Sequence, residues 1–190
     1  MRMRIGIDID DVVTDTSEII EMFIKADNNS HELQKHKKTI MKGNPSEPEV
    51  VSFCKRIYLE AFRKAKAKDN VSEVIKKLLD KGNEIFFITA RGENLDYFKG
   101  SEKVTKEFLK QNNIKYTKIL FNAANKAKLC LDNRIDLMID DSVEHCEDVR
   151  AAGIKSIVFT SKVNKDIPTT IERVDNWLEL EEKIMGLTMV

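Results

Sequence analysis

Asp8-Ile9-Asp10 follows the apolar-rich stretch Met3-Arg4-Ile5-Gly6-Ile7. Side chains alternate faces along an extended chain, so carboxylates one residue apart are expected to aim at one place. As anions they repel. They stay paired when a cation sits between them or when one holds a proton. Either state suits phosphate chemistry, in which one oxygen attacks and a neighbour handles the proton. Three further signals follow in the chain. Thr89 ends the apolar run Ile85-Phe86-Phe87-Ile88, and Asp140-Asp141 ends Leu137-Met138-Ile139. Lys126 lies between them, just ahead of a helical pattern. A parallel sheet gathers all strand C-termini on one edge, so these residues can converge.

Each residue type has a use there. One carboxylate can attack phosphorus and form an acyl phosphate. A second can protonate the leaving alkoxide and then take a proton from the attacking water. Thr and Lys offer donors to the phosphoryl oxygens, where transition-state charge collects. A third carboxylate completes an oxygen-rich site for Mg²⁺. A lone Asp at a strand end is usually a turn former or cap, so the four signals in this order carry the argument.

The elements that would position these residues are short apolar runs alternating with amphipathic stretches. Strands are expected at Arg4–Asp8, Glu84–Thr89, Lys118–Phe121, Leu137–Ile139 and Ser156–Phe159. Helices are expected at Val71–Lys81, Ser101–Asn112, Lys126–Asn133 and Ser142–Ala152. Ile171–Met185, with Ile171, Val174, Trp177, Leu178 and Ile184, reads as a terminal helix. Gly82 and Gly153 follow two of these helices as stop signals. The pattern predicts an α/β fold: a three-layer, doubly wound, Rossmann-like parallel sheet.

One interval breaks the alternation. Thr16–Asp27 and Glu47–Lys68 have helical spacing, with the polar link Asn28–Asn44 between them. This predicts a small helical cap of residues 14–69 inserted after strand 1, the core being residues 1–13 and 70–190. It lies over the sheet edge where doubly wound folds bind ligands. A mobile lid and a rigid helical subdomain are both open readings. Phe23 and Phe53 fall at core spacing. Tyr58 and Phe62, four apart, are the candidates for the substrate side.

Composition narrows the field. The 190 residues carry 32 Lys+Arg and 32 Asp+Glu, a formal net charge of zero, so the basic excess of a nucleic-acid-polymer binder is missing. No run approaches the roughly 20 apolar residues of a membrane span. The N-terminus carries no apolar signal core, and Cys54, Cys130 and Cys146 form no close metal pattern, which points to a cytoplasmic protein with reduced thiols. The composition suits monomer or homodimer alike. A glycine-rich loop followed by Lys-Ser/Thr is missing, which disfavours a P-loop nucleotidase.

Asp8-Ile9-Asp10-Asp11-Val12, Thr89, Lys126 and Asp140-Asp141 resemble the four motifs of the haloacid dehalogenase superfamily of phosphohydrolases. The resemblance implies Asp8 as nucleophile and Asp10 as general acid/base. It implies Mg²⁺ held by Asp8, the Asp10 carbonyl and Asp140, with Asp141 a metal or supporting residue. Thr89, the adjoining Ala90 and Lys126 would bind the phosphoryl group, with Lys128 an alternative for the Lys role. Ile7 to Asp10, Phe87-Ile88-Thr89-Ala90-Arg91, Met138 to Ser142 and Val174-Asp175-Asn176-Trp177 are similar to bacterial relatives of the cytosolic 5′(3′)-deoxyribonucleotidases. That narrower resemblance implies a nucleoside monophosphate substrate.

Other residues have weaker claims. Arg91 is a possible contact to phosphate or substrate, or else a surface ion pair. His145 reads as a solvent-facing first-turn residue with a proton-transfer alternative; His31 and His36 read as exposed. Asp15 could cap the first insertion helix or support Asp10. A non-nucleotide substrate such as a sugar phosphate, and a phosphomutase in place of a hydrolase, remain alternatives. A receiver domain of the response-regulator type would place its acidic pair first and the central Asp later, the reverse of this order.

Overall fold

A computed structural model describes residues 2–188; Met1, Met189 and Val190, at the ends of the expected core ranges, lie outside the described residues. Six strands, β1 (Arg4–Ile7), β2 (Glu84–Ile88), β3 (Lys118–Leu120), β4 (Leu137–Asp140), β5 (Lys155–Phe159) and β6 (Arg173–Val174), form one sheet. Its order is β3-β2-β1-β4-β5-β6 and every pairing is parallel. The order reverses direction beside β1, which puts β1 at the switch point where such sheets bind ligands.

Alternation explains the layers. Ile5, Ile7, Ile85, Phe87, Leu137 and Ile139 face a core completed by α5 (Val71–Asp80), α6 (Ser101–Gln111) and α9 (Trp177–Thr188). Phe86, Ile88 and Met138 face the other way, toward Cys130 of α7 (Lys126–Asp132) and Val149 of α8 (Val143–Ala151). Both faces are covered, so the strands are apolar throughout. Gly6 leaves room on the second face, where a Cβ would lie 2.8 Å from Met138 Sδ and force a neighbouring side chain to shift. The buried stripe of α5, Val71, Val74, Ile75 and Leu78, contributes about 1.5–3 kcal/mol per large side chain removed from water.

Between β1 and β2 lie four more helices: α1 (Thr16–Ala26), α2 (Ser30–Lys35), α3 (Lys37–Met41) and α4 (Pro48–Lys64). The expected polar link therefore contains two short helices. Each buries one apolar residue, Leu33 and Ile40, too few for a periodic signal. The four helices share a second core that also takes Phe98 and Val104 from beyond β2. Tyr58 and Phe62 lie inside it, 1% and 3% exposed, and the Tyr58 hydroxyl donates to the Ile40 carbonyl at 2.7 Å. Phe53 is buried there too and Phe23 packs at its margin.

The chain enters and leaves this segment side by side. Thr14 and Ala67 form an antiparallel bridge, and Lys68 N donates to the Val13 carbonyl at 2.9 Å. Asp15 Oδ1 accepts from Lys66 N at 2.6 Å. Asp15 thus ties the neck and makes no side-chain cap for α1.

The C-terminal expectation is corrected. Arg173–Val174 is strand β6, and the last helix begins only at Trp177. A two-residue strand leaves no periodic trace. Starting at Trp177, the helix buries Trp177, Leu180 and Ile184, and this rotates Leu178 outward to 47% exposure. Cys54, Cys130 and Cys146 are buried and free. No helix among the described residues is long and apolar enough to cross a membrane.

Candidate active site

β1 ends at Ile7, and Asp8 N adds one more ladder bond, to the Ile139 carbonyl at 2.9 Å. The chain then turns. Val13 N and Thr14 N both donate to the Ile9 carbonyl, and Trp177 Nε1 fixes the Val12 carbonyl at 2.9 Å. Asp11 sits at φ 60°, a left-handed conformation that Asp tolerates better than most residues. Its carboxylate accepts from Ser17 N at 2.9 Å and from the Ser17 hydroxyl. Asp11, not Asp15, therefore satisfies the start of α1.

Beyond β1 the two carboxylates take different cationic partners, Lys126 for Asp8 and Arg91 for Asp10. Asp8 is buried against Lys126, whose Nζ lies 2.9 Å from Asp8 Oδ1 and 2.7 Å from Asp140 Oδ2. Lys126 opens α7, where the Asn125 side chain accepts from Lys128 N as N-cap. Lys128 points away; it is exposed and pairs with Asp132 at 2.5 Å. Asp10 instead meets Arg91. Nε lies 3.0 Å from Oδ2 and Nη2 lies 2.6 Å from Oδ1, a bidentate grip.

Arg91 is neither at the surface nor open to solvent, at 1% exposure. Nη1 donates to Thr105 Oγ1 at 3.0 Å and Nη2 to Thr16 Oγ1 at 3.2 Å. Thr89 is buried one residue past β2. Its N donates to the Leu120 carbonyl, and its hydroxyl oxygen accepts from Arg91 N at 3.2 Å. Ala90 is exposed beside it.

On the other side, Asp140 Oδ1 accepts from Ser142 N at 2.9 Å. His145 lies in the first turn of α8, as expected, with its side chain 39% exposed. Ser142 caps α8 by accepting from His145 N, and one edge of the His145 ring lies inward. Nδ1 is buried 3.4 Å from Asp140 Oδ2 without hydrogen-bond geometry. Asp141 accepts from the Ser161 hydroxyl at 3.2 Å, and Asn164 Nδ2 donates to its carbonyl at 2.6 Å. Ser161 and Asn164 escape sequence reading because the loop after β5 has no periodicity.

Electrostatics distinguishes the carboxylates. Burial pushes the Asp8 carboxyl up to about 7; Lys126 pulls it down, while Asp140 and Asp10 add to the rise. Burial and three neighbouring carboxylates, Asp11, Asp140 and Asp8, hold Asp141 well above the usual range. Burial is the largest influence on Asp140 and opposes its ionisation, but Lys126 and His145 together outweigh it and bring the carboxyl to about 2. Burial is likewise outweighed at Asp10, which the Arg91 charge and hydrogen bonds hold below the usual range. Lys126 stays firmly charged, since Asp140 and Asp8 more than offset its burial.

Ligand oxygens of Asp8, Asp140 and Asp141 all lie within 4.8 Å of one another. Three carboxylates face one ammonium, so all three could be ionised together only with two negative charges left to balance, and without a cation Asp8 and Asp141 are pushed toward their neutral forms. An all-oxygen set with that deficit fits a hard divalent cation such as Mg²⁺.

The fold and chain resemble known proteins. A predicted phosphatase from Clostridium acetobutylicum superposes with a TM-score of 0.69 at 16% identity, covering 98% of this chain and 100% of that one. A haloacid dehalogenase-like hydrolase from Streptococcus pneumoniae gives 0.66 at 13% identity over 96% and 98%. CbbY from Rhodobacter sphaeroides, in complex with phosphate, gives 0.63 at 12% over 95% and 96%. No curated protein matches the chain in sequence. The family described as 5′ nucleotidase, deoxy (Pyrimidine), cytosolic type C protein matches residues 2–189. The chain belongs to that family, and is a phosphatase of the haloacid dehalogenase type.

Proposed function

We propose that the protein hydrolyses phosphate monoesters through an aspartyl phosphate on Asp8, with nucleoside monophosphates as substrates. The observation that carries this reading is the buried chain Asp8–Lys126–Asp140, with Asp10 held separately on Arg91 at the same sheet edge. In the first step an Asp8 oxygen bonds to phosphorus and the ester P–O bond breaks, while the fraction of Asp10 that carries a proton, a minority because Arg91 favours its anion, gives that proton to the leaving oxygen. In the second, water attacks the acyl phosphate, Asp10 takes its proton, and inorganic phosphate leaves with Asp8 restored. Lys126 and Thr89 supply donors to the phosphoryl oxygens, with Ala90 beside them. Asp8, Asp140 and Asp141, with the Asp10 carbonyl, would hold Mg²⁺, which would neutralise charge on the phosphoryl group. Residues 14–69 would serve as the cap that closes over the ester, in a protein without polymer or membrane partners that works in the cytoplasm.

A second reading has a specific observation in its favour. A nucleotide base is often held by stacking on an aromatic face, and Tyr58 and Phe62 are buried in the core of the helical segment. That favours a small non-nucleotide ester such as a sugar phosphate, cleaved by a phosphatase or isomerised by a phosphomutase. A phosphate-release screen with Mg²⁺, across nucleoside monophosphates, sugar phosphates and small organic phosphates, decides. Highest kcat/KM on a nucleoside monophosphate supports the first reading; preference for a sugar phosphate rejects it.

A further inference from the structure

Arg91 stands where four parts of the molecule meet. It follows β2 in the loop that carries Thr89. Its guanidinium grips Asp10 through two nitrogens, at 3.0 and 2.6 Å. Other donors reach Thr16 at the start of α1 and Thr105 on α6. Its carbon Cζ lies 3.9 Å from the ring centre of Phe62 on α4. Such a short approach to an aromatic face adds a cation–π attraction, stronger where water is excluded. The forked, stacked geometry belongs to arginine alone among the cations.

Besides Arg91, Asp10 is held by the Thr16 hydroxyl at the start of α1. It sits in a turn, its side chain is 32% exposed, and strand geometry no longer aims it. Arg91 supplies that aim, and Arg91 is itself held by α1 and α4. We infer that Arg91 is the positioning residue of Asp10, making the placement of the proton-transfer carboxylate depend on the docking of the helical segment onto the core. Four of its five N–H donors are engaged by Asp10, Thr16 and Thr105, so it acts on the reaction through Asp10 and not by holding the phosphate. The inference rests on the reaction proposed above and adds to it a coupling between the segment and one catalytic group.

The test uses leaving groups. Nitrophenolate departs without a proton, whereas a primary alkoxide needs one. Single-turnover transfer to the Mg²⁺-loaded enzyme is measured with p-nitrophenyl phosphate and with a primary alkyl phosphate, for wild type, Asp10→Asn, Arg91→Ala, Arg91→Lys and Phe62→Leu. A well-placed general acid contributes about 10²–10⁴-fold. Arg91→Ala is expected to slow the alkyl ester about tenfold or more, as Asp10→Asn does, while nitrophenolate release stays within about twofold. Arg91→Lys should fall between, since it keeps the charge and loses the fork. Phe62→Leu should shift the ratio the same way by a smaller factor. Equal slowing of both esters in Arg91→Lys and Phe62→Leu overturns the inference and marks a structural role. A rise in KM alone overturns it in favour of substrate contact. Wild-type hydrolysis of neither these esters nor any nucleoside monophosphate defeats the reaction reading and this inference together.

Discussion

A carboxylate that attacks phosphorus must be ionised, yet burial and two acidic neighbours push Asp8 up to about 7. Lys126 works against this from 2.9 Å, but Asp140 shares the same ammonium at 2.7 Å. Asp10 is in the opposite condition: Arg91 overcomes its burial and favours the anion, which suits the step in which it accepts a proton from water. Replacing Asp8 by Asn removes the nucleophile with almost no change of shape. Turnover should fall by roughly three orders of magnitude or more. The fold should persist, because Lys126 keeps Asp140, and metal-free Asp8→Asn should unfold above pH 7 at no lower urea concentration than wild type. Steady-state assays and urea titrations read the two halves; retained turnover would remove Asp8 from its role. At this scale the sequence was informative about which carboxylates gather, since parallel strands impose the shared edge. It was silent on aim. Nothing in Thr89-Ala90-Arg91 tells that Arg91 turns inward to Asp10, and nothing near Ser142 tells that His145 Nδ1 lies 3.4 Å from Asp140.

The helical segment is fastened to the catalytic turn by a device that helix patterns do not disclose. α1 begins without a side-chain cap at Asp15, and Asp11 reaches it from within the turn. The cap costs something, because Asp11 is 7% exposed and burial raises its carboxyl to about 6, with Ser17 partly offsetting the rise. Folded protein therefore binds more protons at this group than unfolded protein does between the usual value of 3.8 and about 6. Stability contributed here is greatest at low pH and is lost as pH rises through that window. Asp11→Asn keeps the left-handed tolerance and both contacts to Ser17 while removing the charge. In EDTA it should match wild type near pH 4 and exceed it above pH 6.5 by up to about 3 kcal/mol, read from urea midpoints. A pH-independent difference would place the effect elsewhere. Long amphipathic elements such as α4 and α5 were legible because periodicity accumulates over several turns. β6, α2 and α3 were not, since two to six residues leave too little pattern for packing to show through.

The whole molecule brings Asp8, Asp140 and Asp141 together from strands that are adjacent in the sheet but distant in sequence, β1 and β4. The sheet order follows from the alternation of strand and helix, so the convergence was legible before the charges were. The electrostatic consequence needs coordinates: ligand oxygens within 4.8 Å, with Asp141 raised well above its usual range by burial and then by Asp11, Asp140 and Asp8. Repulsion of this kind is a folding cost that a bound dication removes, so metal binding should appear as stability even without turnover. At a Mg²⁺ concentration of about 100 times Kd, linkage gives about 2.7 kcal/mol. For a chain of this length that is roughly 5–10 °C in Tm. Thermal unfolding in EDTA and then in excess Mg²⁺ should show that rise, with Asp140→Asn and Asp141→Asn each reducing it. Metal-free Asp141→Asn should itself melt higher than metal-free wild type at pH 8, because the buried charge is gone. An unchanged Tm on adding Mg²⁺ to wild type, beside phosphatase activity that survives EDTA, would show that Lys126 alone balances the cluster.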